Sequence, residues 1–166
     1  SIMGSFPRLA EAALFPYFLL MAVVAPLFDA QVCFNQTLFP AVLVELKDRY
    51  SRDYGDYLIS EKPYFFTGLV WLELLLLWPL SLANLYAILF RKPWLSTTCL
   101  IHGASGFTSM VAILSELRGS GRASEKLLIV YCPFMGFSIL AVFWGLLPLS
   151  VKYPGRKTPL PRKKVA

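Results

Sequence analysis

Apolar residues gather into four long runs, at residues 9–28, 64–90, 94–115 and 127–151. Each is close to or above the roughly 20 residues that an α-helix needs to cross a bilayer. None shows the polar stripe of a core helix in a soluble protein. The pattern predicts four membrane helices. Residues 30–63, between the first two, have a different character. There Phe39, Leu43, Leu46 and Tyr50 recur at spacings of four, three and four, behind Pro40 at a first helical position. That period describes a short amphipathic helix, with Lys47 and Asp48 off its apolar face. A connection of about thirty residues is long for a loop, and long ordered connections tend to be lids. The expected fold is an all-α, four-transmembrane-helix bundle with a lid that contains the short amphipathic helix.

Prolines and small residues refine this outline. Pro26 should loosen the last turn before Asp29, and Pro79 should kink the second membrane helix one to two turns beyond Glu73. Pro16 and Pro133 interrupt the first and fourth helices, so the bundle is expected to enclose space. The third helix is the most polar, with His102, Ser105, Thr108 and Ser109, and Gly103 and Gly106 allow close backbone approach. His102 reads as an interhelical hydrogen-bonding residue.

Composition excludes an ordinary soluble domain. The chain has 166 residues, 57% hydrophobic and 16% charged, against about 25% charged in soluble proteins. Its net charge of +6 does not point to nucleic acid. Lys152, Arg156, Lys157, Arg162, Lys163 and Lys164 follow the last apolar run, and Arg91 and Lys92 lie between the second and third. Such clusters orient membrane helices. They place both termini in the cytosol, with residues 30–63 and 116–126 on the other, luminal side. Residues 1–3 read as a cloning scar and start, 4–151 as the membrane domain and 152–166 as a basic cytosolic tail. Cys33, Cys99 and Cys132 offer no disulfide framework, and no metal or cofactor motif is present. Asn35, Gln36 and Thr37 match a glycosylation acceptor that is expected to stay unmodified so near a helix end.

The candidate chemistry lies in three acids. Ionisable groups inside membrane segments are functional hypotheses by default. Glu73 falls roughly 14 Å into the membrane from the lid side, at about 1.5 Å per residue from Tyr64. Asp29 ends the first helix on that side, and Asp56 lies in the returning lid segment. Two acids close together in low dielectric cannot both ionise comfortably, so one keeps its proton. Such a site can hold an amphiphilic amine against Asp29, with protonated Glu73 in support and cation–π attraction from Tyr50, Tyr54 and Tyr131. Thr108 and Ser109 complete the expected lining. Alternatively, Asp29, Asp56 and Glu73 could act as acid and base in a sterol or triterpenoid double-bond isomerase. A third class, an adaptor whose helices bind other proteins, would have a tightly packed bundle.

The stretches "PYFLLMAVVAPLFDAQ", "LFPAVLVELKDRYSRDYGDYLI", "EKPYFF" with "WLEL", and "VYCPF" resemble the sigma-2 receptor family of the EXPERA group, related to emopamil-binding sterol isomerases. The resemblance runs from about Pro16 to Pro148 and preserves the order and spacing of Asp29, Asp56 and Glu73. It implies an endoplasmic-reticulum membrane protein, homodimeric, with a bilayer-facing cavity for sterols and cationic amphiphiles. It also implies that Asp29 pairs with a ligand amine, that Glu73 is its protonated neighbour and that Asp56 supports the hydrogen-bond network. The chain departs from that pattern at Met21, Leu77 and Phe134, where the animal receptors carry histidine, glutamine and tyrosine, and at His102, where they carry an aromatic. The terminal "KKVA" resembles a dilysine retrieval signal, in keeping with the same compartment.

Overall fold

The computed structural model describes residues 2–154, with side chains from residue 5. The expected terminal scar at Ser1, the basic tail beyond Pro154 and the "KKVA" signal lie outside the described residues. The elements, in chain order, are α1 (residues 2–33), α2 (Ala41–Tyr54), α3 (Tyr57–Glu61), α4 (residues 64–89), α5 (Leu95–Gly119), α6 (Glu125–Leu146) and α7 (Leu149–Lys152). Among the described residues, four helices are long and apolar enough to cross a membrane: those within α1, α4, α5 and α6. Large apolar side chains such as Leu19, Val23, Leu75, Ile129 and Phe143 point outward, as lipid-facing surface requires. The chain is a multi-pass membrane protein. The lid helices α2 and α3 join α1 to α4 at one end of the bundle.

Both of the longest interrupted helices carry a π turn at an acid. In α1 the turn spans Ala25–Asp29, closed by Ala30 N–H on the Ala25 carbonyl. In α4 it spans Glu73–Leu77, closed by Trp78 N–H on the Glu73 carbonyl. The prolines expected to loosen these regions sit within or beside them. A π turn inserts a residue, which rotates the following side chains by about 100° around the axis relative to an uninterrupted helix. Pro26 brings no N–H to the Ala22 carbonyl four residues back. That carbonyl instead accepts from Trp78 Nε1 at 3.0 Å. The two irregular helices are thereby tied together beside their acids.

Small residues set the other contacts. α5 and α6 pack along most of their length, and a Cβ on Gly103 would come within 2.7 Å of the Ser138 carbonyl oxygen and the Val142 nitrogen. His102 is buried and meets Ser81 of α4 at 2.9 Å. The Ser81 hydroxyl donates to the Leu77 carbonyl at 2.8 Å, which leaves its oxygen to accept from His102 Nε2. His102 is thus an interhelical donor.

Two apolar clusters fill the bundle. One gathers Leu14, Phe18, Leu95, Cys99 and Trp144 at the far end. The other gathers Leu58, Phe66, Ile113, Leu117 and Leu127 at the lid end. Lys152, expected among the headgroup-facing basic residues, is buried at the far end. It donates to Ser96 Oγ at 2.6 Å and lies 4.1 Å over the Trp144 ring. The ammonium thus lies over an aromatic face while a hydroxyl and a carbonyl oxygen accept its protons.

Gly103→Ala should separate α5 from α6, because the obstructing atoms are backbone and cannot move aside. The expected loss is about 1–3 kcal/mol, read as a lower Tm in detergent. Gly68→Ala, where a Cβ meets nothing within 4 Å, is the control. Equal melting of the two variants would refute the close-packed seam.

A carboxyl-lined cavity under the lid

Helix geometry brings the acids of α1 and α4 face to face. The two π turns pack against each other. The carboxyl groups of Asp29 and Glu73 adjoin, close enough to interact directly. Such a contact holds only if a proton or a cation offsets the mutual repulsion. Both residues keep some accessible surface, and both face a cavity of about 470 Å³. That volume lies in the range of small-molecule sites, roughly 300–1,000 Å³.

The cavity is apolar apart from a few convergent groups. Phe28, Phe66, Val70 and Ile113 wall it, with Tyr50 and Tyr131 toward the lid and Tyr17 and Ser138 opposite. Met21, Leu77 and Phe134 also line it. The buried Ser109 hydroxyl faces it without a partner among the described residues.

Asp56 stands behind this wall and is fully buried. Its Oδ2 accepts from Tyr131 Oη at 2.9 Å and from Tyr50 Oη at 3.2 Å. Its Oδ1 caps α3 by accepting from Ile59 N–H at 3.3 Å. Asp56 therefore joins the lid to α6 through two tyrosines that themselves line the cavity. Burial holds its carboxyl above the ordinary value of 3.8, outweighing these hydrogen bonds. Burial and the Asp56 charge likewise push the Tyr50 phenol up.

The other expected lining residues are divided. Tyr50, Ser109 and Tyr131 line the cavity. Tyr54 stands outside the lining, stacked on Tyr50 with ring centroids 4.9 Å apart. Thr108 is exposed and donates to the Ala104 carbonyl at 2.9 Å. It neighbours Ser109 in sequence, and successive residues on a helix point about 100° apart, so both cannot face one cavity. Lys47, expected off the apolar face of the lid helix, is buried within it. It follows Leu43 by four residues and precedes Tyr50 by three, which puts it on their face whatever its charge.

Gln31 carried no expected role, yet it fixes the lid. It is fully buried, and its Nε2 donates to the Leu27 carbonyl at 2.8 Å and to the Leu43 carbonyl of α2 at 3.2 Å. Its own carbonyl accepts from Lys62 Nζ at 3.2 Å. The lid is also joined to the α5–α6 connection. Arg122 pairs with Glu61 and lies 4.0 Å over the Tyr57 ring, and Ser124 Oγ donates to the Tyr54 carbonyl at 2.9 Å. The Arg122 guanidinium holds the Glu61 carboxyl below its ordinary value. That pair is exposed, so it contributes little to stability.

Known proteins match this arrangement. The family model for EXPERA (EXPanded EBP superfamily) matches residues 42–153. Sigma intracellular receptor 2 of Macaca fascicularis and that of Homo sapiens are each 24% identical, over 90% of this chain and 94% of theirs. The Xenopus tropicalis protein of that name is 27% identical over 66% of this chain and 65% of its own.

The raised Asp56 value sets a pH dependence for the lid. The folded chain binds this proton more tightly than the unfolded chain. The associated stability is complete below the ordinary carboxylate value and is lost as pH rises through the folded one. Hydrogen exchange of residues 41–61 in bilayer discs, corrected for intrinsic rates, should speed up over that interval. Asp56→Asn should flatten the response, and an unchanged slope in the variant would overturn the assignment.

Proposed function

The chain belongs to the EXPERA (expanded EBP) superfamily, and from that premise we propose that it is a receptor-like protein of the endoplasmic-reticulum membrane. Its cavity takes sterols or cationic amphiphiles, in the service of sterol homeostasis or trafficking. One observation carries the reading: two adjoining carboxyls face a largely apolar cavity. Asp29 is the charge anchor for a ligand amine, and Glu73 keeps the shared proton and donates to the Asp29 carboxylate. Burial in low dielectric strengthens the ion pair, and the apolar walls take the ligand's hydrocarbon. The free Ser109 hydroxyl offers a partner to a ligand hydroxyl. Asp56 holds Tyr50 and Tyr131 in place without touching the ligand.

The same reading carries the remaining assignments. The sequence signals favour the endoplasmic reticulum, with both termini cytosolic and the lid luminal. A homodimer follows from the resemblance. The isomerase alternative needs an acid and a base on either side of a substrate double bond. Asp29 and Glu73 instead adjoin each other, and Asp56 is occluded behind two tyrosines. That geometry favours binding over turnover.

Asp29→Asn should weaken binding of a cationic amphiphile to the purified protein roughly 30-fold or more, with expression retained. Glu73→Gln keeps a donor and should be milder than Glu73→Ala. Equal affinities across the wild type and these variants, in a radioligand assay, would refute the assigned roles. Deuterium entering a candidate sterol from heavy water, in the presence of the protein, would revive the isomerase.

A further inference from the structure

The lid brings its own cation to the cavity that holds the acids. Lys47 is only 4% exposed, and it lines the same cavity as Asp29 and Glu73. It also lines a polar groove on the outer side of the lid, together with Asp48, Arg52 and Lys62. Ile59 is the other residue that borders both spaces, so the partition there is a single layer of side chains.

The electrostatics of Lys47 are incomplete where it stands. Among the described residues its one ionic partner is Asp48, at 3.1 Å, and that side chain is 48% exposed. A half-solvated carboxylate compensates poorly for an ammonium withdrawn from water. On the cavity side the acids lining the space are Asp29 and Glu73. The lysine stem is flexible and its head is a compact point charge, so one side chain can serve either counter-charge in turn.

We propose that Lys47 is a tethered counter-cation that exchanges between Asp48 and the Asp29–Glu73 pair, and that a cationic ligand must displace it. The proposal rests on the amine-binding reading above and adds a selectivity device to it. A neutral sterol leaves Lys47 free to turn inward and keeps the acids balanced. A ligand amine replaces the tethered ammonium, which moves out to Asp48. Amine affinity is reduced by this competition, while neutral-ligand affinity is not.

A matched pair of probes tests this: cholesterol and its 3β-dimethylamino analogue, bound to the full chain in bilayer discs. Lys47→Met keeps length and apolar bulk, and should raise affinity for the amine roughly fivefold or more while leaving cholesterol unchanged. Asp48→Asn removes the outward partner and should lower amine affinity with cholesterol again unchanged. Parallel changes for both probes, or an amine affinity indifferent to Lys47→Met, would overturn the proposal. A second arm needs no ligand. The NMR signal of ¹³C-dimethylated Lys47, identified by its loss in Lys47→Arg, should shift in Asp29→Asn. An unmoved signal would count against the exchange. If the wild type bound no amine, the proposed function would fail, and the NMR arm alone would decide whether Lys47 visits the acids.

Discussion

The structure depends on two carboxyl groups meeting at membrane depth. Neither could be held alone there without a heavy desolvation penalty. Together, Asp29 and Glu73 satisfy each other only while a proton or a cation lies between them. That constraint explains why both helices abandon regular geometry at the same level. Each π turn, with its nearby proline, redirects an acid that an unbroken helix would aim elsewhere. The Trp78–Ala22 hydrogen bond then uses a carbonyl that Pro26 leaves without its ordinary donor. Irregular backbone at this depth is tolerated because it is buried in protein and lines a cavity.

The lid follows from the same constraint. An acid pair open to water would be solvated and would lose its hold on a single cation. Asp56 closes one side by gathering Tyr50, Tyr131 and the start of α3 around one buried carboxyl. Gln31 closes another by joining α1, α2 and the Lys62 side chain. Lid and membrane helices therefore share polar contacts that form only when both are in place. Binding beneath the lid and order within it are consequently coupled.

Much of this architecture could be read from residue patterns. The four apolar runs located the membrane helices because lipid exposure leaves no polar face to confuse the period. Pro26 and Pro79 marked the irregular turns, since proline removes a donor wherever it stands. Of the expected lining residues, Tyr50, Ser109 and Tyr131 border the cavity, and Tyr54 and Thr108 do not. Thr108 adjoins Ser109 and so points about 100° away from it, and Tyr54 ends α2 stacked on Tyr50. Lys47 shows the opposite failure. Its charge suggested the solvent side, whereas its spacing from Leu43 and Tyr50 already put it on the buried face. Gln31 gave no signal beyond its place two residues after Asp29, because its partners at Leu27 and Leu43 are backbone carbonyls, which no residue pattern marks.

The apolar lining bears on how a ligand would be held. Met21, Leu77 and Phe134 all face the cavity, and none of them offers a strong hydrogen-bonding group. The carboxyl pair therefore carries most of the directional attraction, and the rest of the surface contributes by burial at roughly 25 cal/mol per Å². A ligand with one cationic centre and a rigid hydrocarbon body meets both demands. A ligand with several hydrogen-bonding groups would leave them unpaired against methyl and ring carbons, which is unfavourable for each group. Selectivity in such a cavity comes less from contacts made than from polar groups excluded. The ammonium of Lys47 at its border would extend the same logic from shape to charge.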